Sequence, residues 1–200
     1  MKNRKIVFLT LAKGQSLRLK DKNTIPFKGK PLIHWVIKKI LKISKNYYVN
    51  SDSNFILDYS KKIGAKTIKR NKDLLDNSMP SRVLMMDSFS SFPKDTYAVI
   101  HVQANSPNLE IEKLKKVYNI LKYTDIEDIF SINSNRETNG SFWGITKKKL
   151  KTYNMNINIH DHKALKTECW FVDDSIDIHY HHELKKAEKI FSKKKNYTNY

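Results

Sequence analysis

Residues 5–23 read KIVFLTLAKGQSLRLKDKN, and the change of character within this stretch decides the fold. Ile6, Val7, Phe8 and Leu9 form a short continuous apolar run, as in a strand buried on both faces. A polar, cation-rich loop follows at once, and then Pro31 to Ile43 places Leu32, Trp35, Val36, Ile40 and Ile43 at helical spacing. Pro31 stands where a proline suits the start of a helix. Strand, polar loop and helix are the first unit of an open α/β sheet, in which a polyphosphate would sit on the loop. The loop alone also reads as an ordinary solvated connection rich in lysine.

The same alternation continues. Strands are expected at Asn46 to Asn50, Ala65 to Ile68, Tyr97 to Gln103 and Ile126 to Ile132, with weaker signals at Ser141 to Thr146 and Cys169 to Val172. Helices are expected from a Ser53 cap through Ile63 to a stop at Gly64, at Ser81 to Phe89, at Ile111 to Tyr123 and at His182 to Phe191. This order implies a single α/β domain, residues 1–192, with a doubly wound, mostly parallel sheet and helices on both faces, followed by a basic tail at 193–200. Ligands of such sheets gather beyond the carboxyl ends of the strands. Lys13 to Asn23, Ser51 with Asp52, and Gln103 to Pro107 are therefore expected to meet at one edge.

Composition narrows the function classes. The 200 residues carry 38 Lys and Arg against 20 Asp and Glu, a net charge of +18 that attracts anions. The lysines are dispersed, and no ribonucleoprotein motif, zinc-finger spacing or long basic arm accompanies them, so the charge suits phosphate ligands and is only weak evidence for nucleic acid. No apolar run approaches the length of a membrane span, and the only cysteine, Cys169, has no partner within the chain for a disulfide. A cytoplasmic location is the simplest expectation. His160, His162, His179, His181 and His182 match no standard zinc spacing and read as solvated, while Trp35 reads as core.

The first loop is neither a P-loop nor a dinucleotide fingerprint, because the required glycines and the Lys-Ser/Thr pair are missing. What it offers is Lys13, Gly14, Ser16, Arg18, Lys22 and Asn23. Gly14 permits close backbone approach, Ser16 supplies a hydroxyl, and the cations neutralise phosphate oxygens.

These residues resemble the cytidylyltransferases that activate acidic sugars, the CMP-sialic acid synthetases and their pseudaminic and legionaminic acid relatives. That family's N-terminal pattern runs Ala-Arg-Gly-Gly-Ser-Lys-Arg-Ile-Pro-x-Lys-Asn, then Gly-Lys-Pro-Leu-Ile. Ala12, Gly14, Ser16, Arg18, Lys22, Asn23 and the run Gly29 to Ile33 fall in step with it. Further matches keep the family's order: Ser51 and Asp52, Gly64 and Ala65, Arg70, then Gln103, Ser106 and Pro107. Asn139 and Gly140 follow, and Asp177, Ile178, Leu184, Ala187 and Glu188 match the closing signature.

The resemblance implies a nucleotide-diphospho-sugar transferase-like fold and transfer of CMP from CTP to an acidic, nonulosonic sugar with release of pyrophosphate, aided by Mg²⁺ or Mn²⁺. It implies catalytic roles for Lys22 and Arg18 and nucleotide binding by Leu11, Ala12, Lys13, Gly14, Ser16, Asn23, Arg70 and Ser81. Gln103, Asn105, Ser106 and Arg136 would serve the sugar, and Asp177 and His179 the metal. Another sugar or nucleotide, or a noncatalytic homologue, are the alternatives. Departures are informative. Lys13 replaces an arginine, Leu17 a common lysine, Asn108 and Leu109 a common Leu-Arg, and His179 the second aspartate of an Asp-Ile-Asp run. The segment Asn133 to Thr138 is shorter than the family's sugar-recognition and dimerisation insert, which leaves homodimerisation open.

Overall fold

The computed structural model describes residues 4–76, 78–152 and 168–193. His160, His162 and all of the basic tail beyond Lys193 lie outside the described residues. Among the described residues, nine strands and six α-helices follow in the order β1 (Lys5–Ala12), β2 (Pro26–Phe27), β3 (Lys30–Pro31), α1 (Leu32–Leu41), β4 (Tyr47–Ser51), α2 (Asn54–Lys62), β5 (Lys66–Lys69), α3 (Ser81–Ser88), β6 (Thr96–Val102), α4 (Ile111–Tyr123), β7 (Asp128–Ile132), β8 (Thr138–Thr146), α5 (Lys147–Thr152), β9 (Glu168–Val172) and α6 (His181–Lys193).

Seven of the strands form one sheet in the order β5-β4-β1-β6-β8-β7-β9. All pairs are parallel except those of β8, which runs antiparallel to both β6 and β7. The expected mostly parallel, doubly wound sheet is present, with one reversed strand inside it. From β1 the chain winds outward through β4 and β5, then returns to the other side of β1 as β6. The topological switch point therefore lies between β1 and β6, where a crevice opens beyond the strand ends.

Alternation along the strands feeds two cores. Ile6, Phe8, Ile100 and Val102 meet α1, α2 and α4 through Ile33, Ile37, Ile56, Leu114 and Val117. Val7, Leu9 and Val99 point the other way, toward Met85 of α3 and Leu150 of α5. Because each central strand is covered on both faces, its sequence reads as an unbroken apolar run.

A third cluster closes one end. Trp35 of α1 is 6% exposed, donates from Nε1 to the Phe27 carbonyl at 2.9 Å, and packs edge-on against Phe191 of α6 at 4.7 Å. The core assignment of Trp35 is borne out. The short hairpin of β2 and β3 was not foreseen. Its turn residues Lys28 and Gly29 both take positive φ, 48° and 77°, the backbone that two-residue hairpin loops require. Pro31 consequently belongs to β3 and forms the N-cap of α1 rather than its first helical residue. The helix α5 also lacked a sequence signal, since Leu150 is its only buried residue.

Candidate functional site

The crevice at the switch point holds a cavity of about 380 Å³, within the range of small-molecule sites. Its lining comes from the β1 end and the following loop (Leu11, Lys13, Gln15, Ser16, Leu17, Arg18, Lys22, Asn23), from Arg70 after β5, from Met79, Ser81 and Leu84, from His101, Gln103 and Asn105, and from His179. The ends of β1 and β6 thus meet as expected, and Asp52 after β4 reaches the same edge through Gly14.

The loop is held by its ends and open in its middle. The Gly14 amide donates to Asp52 Oδ1 at 2.7 Å, which ties the loop to the β4 end. A Cβ on Gly14 would come within 2.8 Å of Ser53 Cβ, so a side chain there displaces the loop or α2. Asn23 donates from Nδ2 to the Lys13 carbonyl at 2.8 Å and closes the loop on itself. Between these ties the cationic side chains face the cavity. Burial and the neighbouring Arg70 hold the Lys13 ammonium below its usual pKa, with Asp52 and Asp76 opposing them. Burial lowers Lys22 as well; Asp177 works against that shift and Arg18 adds to it. Nearby negative charge favours the charged form of such groups, so an anion in the cavity would raise both.

Arg70 is held differently. It is buried, donating from Nε to Asn50 Oδ1 at 2.9 Å and from Nη2 to the Asn50 carbonyl at 3.2 Å. Asn50 in turn donates to Ser88 Oγ at 3.0 Å, and Ser88 donates to the Leu84 carbonyl at 2.7 Å. This chain links β4, Arg70 and α3 behind Ser81 and fixes that wall.

On the other side stands the segment before α6. Asn105 donates from Nδ2 to Asp177 Oδ1 and to the Ile178 carbonyl at 2.8 Å, while the Ile178 amide donates back to the Asn105 carbonyl at 3.0 Å. Asp177 Oδ2 lies 3.2 Å from His179 Nε2. Burial pushes the Asp177 carboxyl up to about 6, although Lys22 pulls the other way. Burial, Lys22 and Arg18 all lower His179. Glu183 in the first turn of α6 accepts from the His179 and Tyr180 amides at 2.6 and 2.8 Å and so anchors this corner.

Leu11, Lys13, Ser16, Arg18, Lys22, Asn23, Arg70, Ser81, Gln103, Asn105 and His179 thus share one cavity. Asp177 sits behind its wall, joined to Asn105 and His179. Ala12 is buried in the core, Gly14 acts through its backbone, and Ser106 is fully buried. Arg136 lies in the exposed β7–β8 turn, outside the lining. Gln15, Met79, Leu84 and His101 line the cavity without having been singled out. Of these, His101 had a signal: it stands two residues before Gln103 on a strand, hence on the same face.

A family model for cytidylyltransferases matches residues 7–199. N-acylneuraminate cytidylyltransferase A of Danio rerio is 28% identical over 133 residues, covering 66% of this chain and 31% of the relative. Pseudaminic acid cytidylyltransferase of Campylobacter jejuni is 32% identical over 113 residues, covering 54% and 49%. The chain thus matches at most about half the length of these curated relatives. A solved CMP:2-keto-3-deoxy-manno-octonic acid synthetase complexed with CTP superposes with a TM-score of 0.74 at 12% identity, covering 94% of this chain and 99% of that one. With the family model spanning nearly the whole sheet and every element that lines the cavity, this chain belongs to the cytidylyltransferase family.

Proposed function

We propose that this protein transfers CMP from CTP to an acidic sugar, releasing pyrophosphate. The observation that carries the reading is the placement of Lys13, Arg18 and Lys22 on one loop at the switch-point cavity, which Arg70 and Ser81 also line. The relatives' names support an acidic sugar as the acceptor.

In this reading Lys13, Arg18 and Lys22 grip the triphosphate and neutralise charge as the sugar hydroxyl attacks the α-phosphorus and the bond to the leaving pyrophosphate breaks. Asn23, Arg70 and Ser81 hold the nucleoside, and Gln103, the residue that follows β6, faces the acceptor. Asn105 acts through Asp177 and the Ile178 backbone, setting the angle of that corner.

A divalent ion fits the donor set only with help from its ligand. Asp177 and His179 supply one carboxylate and one imidazole, and no group of three or more such side chains occurs among the described residues. Magnesium is commonly held by one or two carboxylates together with substrate phosphates, and Mn²⁺ accepts imidazole more readily. Bound there, the ion would neutralise phosphate oxygens. No helix among the described residues is long and apolar enough to cross a membrane.

The test is pyrophosphate release from CTP with a panel of acidic sugars and Mg²⁺ or Mn²⁺, repeated on Lys22→Ala and Asp177→Ala. Turnover that both substitutions abolish supports the assignment. Unchanged turnover in both overturns it, and release only with another nucleotide replaces cytidine in the reading.

A further inference from the structure

His101 lines the cavity, and neither the loop nor the α6 corner gives it a role. His101 lies near the centre of the sheet, on β6 between Leu9 of β1 and Trp143 of β8. Its neighbours Ile100 and Val102 face the α1 and α4 side, so its ring points to the α3 side together with Val99. There it forms part of the cavity wall with Leu11 and Leu84. It is 4% exposed, and its Nε2 has no hydrogen-bond partner.

Both facts are unfavourable for a merely structural residue. A buried polar atom without a partner costs about 1–3 kcal/mol, and such atoms are rare in folded proteins. A leucine or phenylalanine in this apolar slot would avoid that cost. Burial also lowers the imidazole pKa to about 4, so the ring is neutral under cellular conditions and carries one N–H donor and one acceptor. A neutral ring beside two leucines offers little to a phosphate, which the cations of the facing loop serve. It suits an uncharged donor–acceptor group. A half-turn about Cβ–Cγ exchanges the positions of Nε2 and Cε1 within the same slot, which lets a ligand select the orientation it needs.

We propose that His101 is a specificity residue whose imidazole hydrogen-bonds an uncharged group of the nucleoside, a base edge or a ribose hydroxyl, on the floor of the cavity. The inference rests on the nucleotidyl-transfer reading but goes beyond it, since none of the family-like motifs in this sequence contains His101.

The experiment is calorimetric titration of wild type, His101→Phe and His101→Gln with CTP, UTP, 2′-deoxy-CTP, 3′-deoxy-CTP and pyrophosphate, alongside ligand-free melting. In His101→Phe, CTP binding is expected to weaken about tenfold, the size of one lost hydrogen bond in a dry site. Pyrophosphate binding stays within twofold of wild type, and the ligand-free melting temperature is unchanged or higher because the orphan nitrogen is gone. His101→Gln recovers most of the loss. The analogue whose deficit vanishes in His101→Phe identifies the group that is read. The inference is overturned if both variants bind CTP within twofold of wild type, or if pyrophosphate weakens in parallel with CTP. Should wild type prefer another nucleoside triphosphate, the cytidine assignment fails, while the same ratio measured with that nucleotide still decides the role of His101.

Discussion

Two connections leave the same edge of the sheet and have opposite fates. The loop after β1 spans residues 13–25 and supplies seven cavity-lining side chains, whereas the turn between β7 and β8, residues 133–137, supplies none. The turn satisfies itself: the Asn133 amide donates to the Glu137 carbonyl at 2.7 Å, the Arg136 amide to the Asn133 carbonyl at 2.9 Å, and Asn133 Nδ2 to Glu137 Oε2 at 2.9 Å. The Ser134 hydroxyl and amide both donate to Asp174. The loop after β1 is tied through Gly14 and Asn23 and leaves its cations facing the cavity. A connection that spends its polar groups on itself becomes a turn, and one that leaves them directed at a cavity is available to a ligand.

Substitutions rank along this contrast. Lys22→Ala removes a cation from the proposed triphosphate grip and is expected to lower turnover by about 10²–10³, the scale of losing one transition-state charge contact; steady-state kinetics with saturating CTP measures it. Gly14→Val is expected to weaken nucleotide binding by roughly tenfold, because its Cβ meets Ser53 Cβ at 2.8 Å and the loop must shift. Titration calorimetry reads that loss, and unchanged affinity would show that the loop does not bind nucleotide in this conformation.

A smaller effect separates the sheet edge from the sheet itself. Asp128 begins β7, accepts from Trp143 Nε1 at 2.7 Å, and is pushed up to about 7 by burial, with Glu168 adding to the shift. Its folded pKa lies above its unfolded value near 3.8, so the folded state holds the proton longer. The stabilisation is complete below pH 3.8 and is lost as pH rises through about 7. Asp128→Asn should therefore raise stability at pH 8 by on the order of 1–2 kcal/mol relative to its effect at pH 4. Urea midpoints at the two pH values test this, and a parallel shift at both would remove the titration account. The smallest change is expected for Arg136→Ala. Since Arg136 lies outside the cavity, the KM of the acceptor should move by less than about threefold; a larger rise would return the turn to the site.

Legibility followed the physics of each residue. The strands β1, β4 and β6 were readable because burial on both faces leaves continuous apolar runs, and α2 because Ser53 caps it and Gly64, with φ of 105°, ends it. The hairpin of β2 and β3 was not, since two-residue strands have no period and its turn is Lys-Gly rather than Asn-Gly. Among the site residues, the cations of the first loop stood out because nothing apolar explains them. Asn105 was expected beside the sugar; it lines the cavity, and its amide also holds Asp177 and Ile178, 72 and 73 positions away. His101 passed for part of an apolar strand.

By itself, the sequence determined the alternating α/β order, the cationic loop after the first strand and the family-like motifs, because these depend on local periodicity and on residues a few positions apart. Only the tertiary structure decided that β8 runs backwards between β6 and β7, that Asp177 meets Asn105 and His179, that Arg136 lies outside the cavity, and that His101, which lines it, has a buried unpartnered imidazole nitrogen. Those outcomes depend on strand order and burial, which bring distant residues together and remove water from some of them, and no local pattern encodes either.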